Sequence, residues 1–427
     1  MKQTDFLLNF NSANSRQLSL AAVLPRYGSS LGGGAETLVR ELFLALNKDP
    51  FLLPYLSLEV LTTCAVDHRT WENALPAGPS EEDGILIRRF LVDDRNLEVF
   101  IGAEQKLNKG FQLSSSEQIS WLENSVNSSA LYEFLITEEK KYDLIFFAPY
   151  LFGTSFWGSQ LVRDKAVLVP CLHDEAYAYL PVFRNLFRHV RGVMWNAAPE
   201  EELANNLYNI PGLRDKGIEV GMGFESSSSD VSRVHSPHPR PYILYSGRKE
   251  TGKNLHYLID CYEDYRSKSS DPFDFLIIGS GSIDFRNDLP SGVYDKGFVS
   301  ENEKKIILSN ASLFVQPSTN ESFSIVLMEA WLEGTPVLVH SDCAVTTHHV
   351  RKSGGGYFFR SKQEFNDILT KIKNDPSESI IKGESGKKFV SEVYSWEAVK
   401  TRFLKGLQKW ISLKKTDGDF CDEHKWG

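Results

Sequence analysis

The stretch PSTNESFSIVLMEAW, residues 317–331, decides how this chain is read. It follows an apolar run, residues 311–315, with the character of a buried strand. It opens on Pro-Ser-Thr-Asn, a turn and capping composition. A helix follows, with Ile325, Leu327 and Met328 apolar, and the segment stops near Gly334-Thr335-Pro336. Strand, polar loop and helix start together offer unpaired amides and the positive end of a helix dipole to an anion. Glu321 lies in the loop and Glu329 two turns inside the helix. A carboxylate beside a phosphate would repel it, so these two are expected to face hydroxyls. A nucleotide-sugar carries that pattern: a diphosphate with a ribose on one side and a hexose on the other. The plainer alternative is a surface helix with solvated glutamates.

Outward from this stretch, strands and helices alternate. Towards the C-terminal half, residues 242–246 read as a strand, GRKETGKN as a loop, 255–265 as a helix and 273–279 as a strand. Gly297-Phe298-Val299 reads as a strand end, 300–309 as a helix and 335–339 as the next strand. In the first half, LSLAAVL at 18–24 is a strand. It feeds a turn containing Gly32, Gly33 and Gly34, then a helix with Leu38, Leu42 and Leu46 on one face. Strands are also expected at 59–63 and 84–90, with a polar turn at 80–84. A helical pattern covers 101–135, broken at Ser114-Ser115-Ser116. Buried strands follow at 142–149 and 166–172, the second ending in His173-Asp174-Glu175. Residues 192–208 read as strand, turn and helix. This alternation predicts parallel, doubly wound sheets. Residues 226–241, with four serines in a row and three prolines, are the expected linker. A last helix starts at Tyr394-Ser395-Trp396 and runs through Trp410.

Composition narrows the function. The chain has 427 residues, enough for two or three domains, and is 41% hydrophobic and 24% charged, as folded globular proteins are. A formal net charge of -9 argues against a nucleic-acid partner and against tight adhesion to an anionic membrane, and leaves room for a weak peripheral contact through a local basic patch. Five scattered cysteines without a CxxC read as reduced thiols. The N-terminus lacks the apolar core of a signal peptide and no run is long enough to span a bilayer. The expected location is the cytoplasm, including the inner face of the membrane.

The block PSTNESFSIVLMEAWLEGTPVLV, with Glu321 and Glu329 in it, resembles that of the retaining glycosyltransferases of the large family-four type. The resemblance is strong from about residue 241 to 410 and moderate before that. It implies the α/β GT-B fold: two Rossmann-like doubly wound domains facing a central cleft, with the last helix crossing back to the first. The implied boundaries are 1–225 with 396–427 for the acceptor side, and 242–395 for the nucleotide-sugar side. By resemblance Glu321 approaches the donor sugar and Glu329 holds the ribose hydroxyls. The amides of Ser324, Ile325 and Val326 meet the diphosphate, with Ser322 and Phe323 in the same loop. Gly33 and Gly34 lie in a loop over the donor phosphates, although a tight turn alone also explains them. Arg248 and Lys253 neutralise the leaving diphosphate, the alternative being a solvated basic loop. His173 contacts the donor sugar, where a structural histidine is the rival reading. Phe298 packs beside the base, with amides near Val299 reading its edge; a core phenylalanine explains it equally well.

No cofactor is expected beyond the donor, and no metal. The one Asp-x-Asp, Asp417 and Asp419, stands in a polar tail with no strand before it. The expected partners are a nucleotide-sugar, UDP-linked by preference, and a saccharide or lipid-linked saccharide in polysaccharide synthesis. The rivals are a UDP-sugar 2-epimerase of the same fold and a catalytically silent binding subunit of a polysaccharide assembly complex.

Overall fold

The computed structural model describes residues 5–28, 33–225, 236–285 and 288–413. Gly32, most of the expected linker, and Asp417 and Asp419 lie outside the described residues. The chain divides into two compact units. One comprises Met1–Asn196, Glu201–Val220 and Lys400–Gly427; the other comprises Ala197–Glu200 and Gly221–Val399.

The first unit is built on an eight-stranded sheet. Its strands are β1 (Leu18–Leu24), β2 (Leu56–Thr63), β3 (Gly78–Glu82), β4 (Ile85–Phe90), β5 (Leu144–Phe147), β6 (Ala166–Leu168), β7 (Gly192–Trp195) and β8 (Gly217–Glu219). Their order is β3-β4-β2-β1-β5-β6-β7-β8. Every pairing but β3 with β4 is parallel. Strands buried on both faces by crossover helices need apolar side chains on both, which is why LSLAAVL and LIFF are nearly continuous hydrophobic runs. The helices of this half are α1 (Asp5–Asn14), α2 (Gly34–Asn47), α3 (Leu97–Asn108), α4 (Ser115–Glu123), α5 (Ser129–Glu138), α6 (Gly153–Leu161), α7 (Pro181–His189), α8 (Ala198–Tyr208) and α9 (Leu213–Lys216). Leu38, Leu42 and Leu46 form the buried face of α2. A capping box between Ser114 and Glu117 starts α4, so the triple serine divides the helical stretch as expected.

Two expectations are corrected here. Residues 80–84 are not merely a turn: GPSEE forms β3, antiparallel to β4, and the chain reverses at Asp83-Gly84, both with positive φ. A polar edge strand has no apolar signature and its side chains discourage pairing with other chains. The strand expected at 166–172 ends at Leu168. One side still pairs, Val169 N–H to Phe147 O at 2.8 Å and Tyr150 N–H to Pro170 O at 3.1 Å. Pro170 has no N–H to give, and Cys171 turns left-handed with φ 53. His173 therefore follows a bent segment rather than a strand end.

The second unit holds six parallel strands: β9 (Tyr242–Ser246), β10 (Asp274–Ile278), β11 (Val293–Asp295), β12 (Leu313–Gln316), β13 (Val337–His340) and β14 (Gly356–Phe359). The order β11-β10-β9-β12-β13-β14 reverses between β9 and β12. Loops leaving the carboxyl ends of two strands at such a reversal diverge and open a crevice. Between the strands run α10 (Leu255–Lys268), α11 (Glu301–Ser309), α12 (Ile325–Leu332) and α13 (Ala344–Ser353), followed by α14 (Lys362–Asn374) and α15 (Ser377–Val393). Gly297-Phe298-Val299, read from sequence as a strand end, lies past β11 in a turn where Gly297 has φ 70.

The last helix, α16 (Trp396–Ser412), supplies core to the first unit. Phe403, Leu407 and Trp410 are fully buried, and the Trp410 ring meets Phe146 of β5 at 5.8 Å. Trp410 Nε1 donates to Lys216 O at 2.9 Å, and the Arg191 guanidinium donates to the carbonyls of Trp410, Ile411 and Leu413. A cation on the last carbonyls satisfies acceptors that the helix leaves open.

Candidate active site

The reversal of strand order in the second unit brings together the loop that carries Arg248 and Lys253 and the loop that carries Glu321, Ser322, Phe323 and Ser324. Residues 247–254 leave β9 and residues 317–324 leave β12. Backbone contact fixes the first loop. Gly279, with φ 126, lies so close that a Cβ there would fall 2.1 Å from the Gly247 carbonyl oxygen. Lys249 N–H donates to Ser280 O, and Tyr245 Oη donates to Arg248 O at 2.8 Å. One 3-10 turn, Thr251–Lys253, then delivers Asn254 in a left-handed conformation, and its Nδ2 donates to Pro317 O at 3.1 Å. The two loops are thereby tied.

On this frame Lys253 Nζ lies 2.7 Å from Glu321 Oε1, and Gln316 Nε2 donates to the same oxygen at 2.9 Å. Sequence reading assigned Lys253 to the diphosphate and Glu321 to the sugar; the structure pairs them with each other. The pairing removes a repulsion, because an ion pair beside an anion site carries no net charge. Arg248 is half-exposed, with Glu250 at 3.3 Å as its partner. Lys249, which sequence reading did not single out, is buried and paired to Asp295 at 2.7 Å.

Ser324 is the N-cap of α12, left-handed at φ 69, and makes no side-chain cap. Among the described residues the amides of Ile325 and Val326 find no acceptor. The first turn of α12 therefore keeps its donors and its dipole free. The Phe323 ring packs against Tyr394, His349 and Phe224 at centroid distances of 5.1, 5.5 and 6.3 Å, so its backbone is what it has left for a ligand. Ser322 is half-buried beside it. The far face of α12 is anchored by buried Leu327, Met328 and Trp331, and Trp331 Nε1 donates to Gly355 O.

Glu329 accepts from Lys304 of α11 through Oε1, at 2.8 Å. Its Oε2 is shut off from solvent and has no partner among the described residues. Burial pushes the carboxyl above the usual carboxylate range, and Lys304 acts against that. Lys304 also meets Glu301; burial works against its charge, but the two carboxylates outweigh it and hold its pKa above the ordinary lysine value. Lys304 and Gln316 were missed from sequence, since a lysine in ENEKK carries no sign of which distant carboxylate it meets.

Phe298 is 81% exposed, which overturns the core-phenylalanine alternative; Val299 is half-buried. The remaining expected residues belong to the first unit. Gly33 is the N-cap of α2 and Gly34 its first residue. The Glu36 carboxylate folds over Gly33, where a Cβ would fall 2.1 Å from Oε2, and its Oε1 accepts from Arg26 Nε at 2.8 Å in a buried pair. His173 Nδ1 lies 3.5 Å from Glu175 Oε1, which also accepts from the buried Tyr150 hydroxyl at 3.0 Å. Tyr179 Oη donates to Asp174 at 2.7 Å. Among the described residues no group of three or more His, Cys, Asp or Glu is placed to hold a metal, and no helix is long and apolar enough to cross a membrane.

Comparison with known proteins bears on this geometry. Residues 229–396 match the family model described as glycosyl transferases group 1. An uncharacterized glycosyltransferase of Methanocaldococcus jannaschii is 28% identical over 221 residues, 47% of this chain; the chain spans about half, 52%, of that relative. Sucrose-phosphate synthase from Thermosynechococcus elongatus superposes with a TM-score of 0.64 at 17% identity, over 92% of this chain and 98% of the other. Anabaena HepE, solved with UDP and glucose, gives 0.64 at 16% identity over 92% and 99%.

Proposed function

We propose that this glycosyltransferase, which carries the group 1 domain at residues 229–396 on a GT-B fold, moves a hexosyl group from a UDP-sugar to a hydroxyl of a saccharide or lipid-linked saccharide in polysaccharide synthesis, with retention at the anomeric carbon and without a divalent metal. The observation that carries this reading is the pair of carboxylates on the β12–α12 connection. Glu321 and Glu329 each hold one lysine, Glu329 has a buried oxygen without a partner, and the uncapped start of α12 lies between them. That is an arrangement for hydroxyl, anion, hydroxyl.

In this reading the diphosphate lies on the amides of Ser324, Ile325 and Val326, with Arg248 and Lys253 beside it. Charge grows on the diphosphate as its bond to the anomeric carbon breaks, and fixed donors aimed at that charge lower the barrier. The acceptor oxygen bonds to the anomeric carbon on the same face, and its proton passes to the departing phosphate oxygen. Glu321 and His173 contact the donor sugar, and Phe298 lies beside the base. A double displacement would need a protein carboxylate at the anomeric carbon; Glu321, already holding Lys253 and Gln316, is poorly suited to that part.

The test is a thermal-shift screen of nucleotide-sugars, since a ligand of the folded state raises its melting point, followed by transfer assays in EDTA. A UDP-sugar that raises the melting point and releases UDP only with a saccharide acceptor, EDTA present, is the expected result. Free epimerised UDP-sugar would point to the epimerase, binding without UDP release to the silent subunit, and rescue by Mn²⁺ to a metal.

A further inference from the structure

Lys304 has no part in the chemistry just described, yet it occupies a singular place. Its side chain is 17% exposed, and it sits 2.8 Å from Glu329 Oε1 and 2.8 Å from Glu301 Oε2. Glu301 is three-quarters exposed and three residues away on the same helix, a pairing worth little by itself. Glu329 is different. One oxygen is fixed by Lys304 and the other is buried without a partner. Such an oxygen on a carboxylate calls for an explanation, and a functional role is among those it can have.

We propose that Lys304 is the positioning residue of the donor site: it clamps Glu329 through Oε1 and so sets the direction in which that carboxylate meets the ribose hydroxyls of the nucleotide. This rests on the reading of Glu329 as the ribose ligand. A carboxylate rotates freely about its last bond, and a single hydrogen bond to one oxygen fixes where the other points. Charge matters as much as direction. Burial alone favours the protonated acid, and a protonated carboxyl has one acceptor fewer to offer two hydroxyls. The charged groups around Glu329 are Lys304, Glu301 and Lys305 from α11, with Glu333 one turn along α12 and Lys387 of α15 beyond it. Of these Lys304 is the cation in contact, so its loss raises the Glu329 pKa further.

The experiment measures the affinity of the full chain for UDP and for 2′,3′-dideoxy-UDP between pH 5 and 8.5, by calorimetry, for the parent, Lys304→Met, Lys304→Gln and Lys304→Arg. The dideoxy ligand titrates its phosphate like UDP, so the ratio of the two affinities isolates the ribose. The parent is expected to prefer UDP by about tenfold or more, the worth of a charge-assisted hydrogen bond. In Lys304→Met that preference is weakened, more at low pH than at high, because ionised Glu329 is the binding form. Lys304→Arg restores it near pH 7. For the donor sugar, Lys304→Met raises KM and leaves kcat near the parent's. If Lys304→Met does not fold, Lys304→Gln, which keeps a donor and loses the charge, carries the same pH comparison. A parent that binds UDP and dideoxy-UDP equally removes the ribose reading itself. A parent that prefers UDP, with a Lys304 variant showing the same preference and the same pH profile, overturns the inference alone. So does an equal loss of both ligands, which marks a merely structural lysine.

Discussion

Two helix starts in this molecule are built from the same parts and finish in opposite states. At α2 and at α12 a parallel strand runs into a turn of small or polar residues and then into a helix, and both starts direct amides and a positive dipole outward. At α2 the chain's own Glu36 folds over Gly33 and is held there by Arg26, with both side chains nearly buried. At α12 the residue in the matching place is Leu327, which turns into the core; the carboxylate of the preceding loop, Glu321, is matched by Lys253. Sequence reading treated both as anion sites; a carboxylate of the chain itself lies over the first, while the amides of Ile325 and Val326 at the second find no acceptor among the described residues.

That contrast can be broken most decisively at Glu36. Glu36→Ala leaves the Arg26 guanidinium buried without its carboxylate and is expected to cost about 3 kcal/mol of stability, with UDP affinity near the parent's; urea unfolding and a UDP titration check both. Lost UDP affinity with unchanged stability would mean that the α2 start serves a ligand after all. At the other loop the effect should fall on rate. Lys253→Ala and Arg248→Ala are each expected to lower turnover about 10²–10³-fold at saturating donor, and the double variant by less than the product, since the proposed function sets both cations on one leaving group. Near-parental rates in either single variant would move the leaving-group charge to the α12 amides alone. Glu329→Ala should weaken UDP about tenfold or more, read by calorimetric titration.

The last prediction concerns acid. His349, packed on Phe323 behind the α12 loop, is buried, and burial pushes its pKa down to about 3. An unfolded chain takes up this proton near pH 6.5 and the folded one only near 3, so the folded state binds fewer protons in between. Its contribution is therefore complete above pH 6.5 and lost as pH falls towards 3, at about 1.4 kcal/mol per pH unit. In urea unfolding between pH 7 and 4, His349→Leu should lose less stability than the parent. Identical slopes would show that the folded protein protonates this imidazole as the unfolded chain does.

What could be read from sequence follows from what burial imposes on it. LSLAAVL, LIFF and LFVQ announce themselves because a parallel strand is covered on both faces, and the 3.6-residue spacing of Leu38, Leu42 and Leu46 because one face of α2 is. GPSEE was unreadable as a strand because an edge strand in water needs no apolar residue; only Asp83-Gly84 hinted at it. His173 was placed too close to its strand because apolar residues continue past the point where Pro170 ends the ladder. At the site, residue types were legible and pairings were not. Glu321, Glu329 and Lys253 stand out by spacing, but that Lys253 meets Glu321 depends on β9 lying beside β12, and that Lys304 meets Glu329 depends on how α11 lies against α12.

The first unit's use of α16 has a consequence for the order in which the chain is made. The second unit is complete once Val399 has emerged from the ribosome, whereas the first must wait from Val220 until Lys400 and beyond for Phe403, Leu407 and Trp410. At about 5–20 residues per second that is a delay of roughly 10 to 40 s, during which the Phe146 ring and the Arg191 fork have not met their partners. The nascent chain thus finishes its later unit first. A stop codon before residue 400 would spare the second unit and leave the earlier-made one unfinished, a target for chaperones and proteases rather than a working domain.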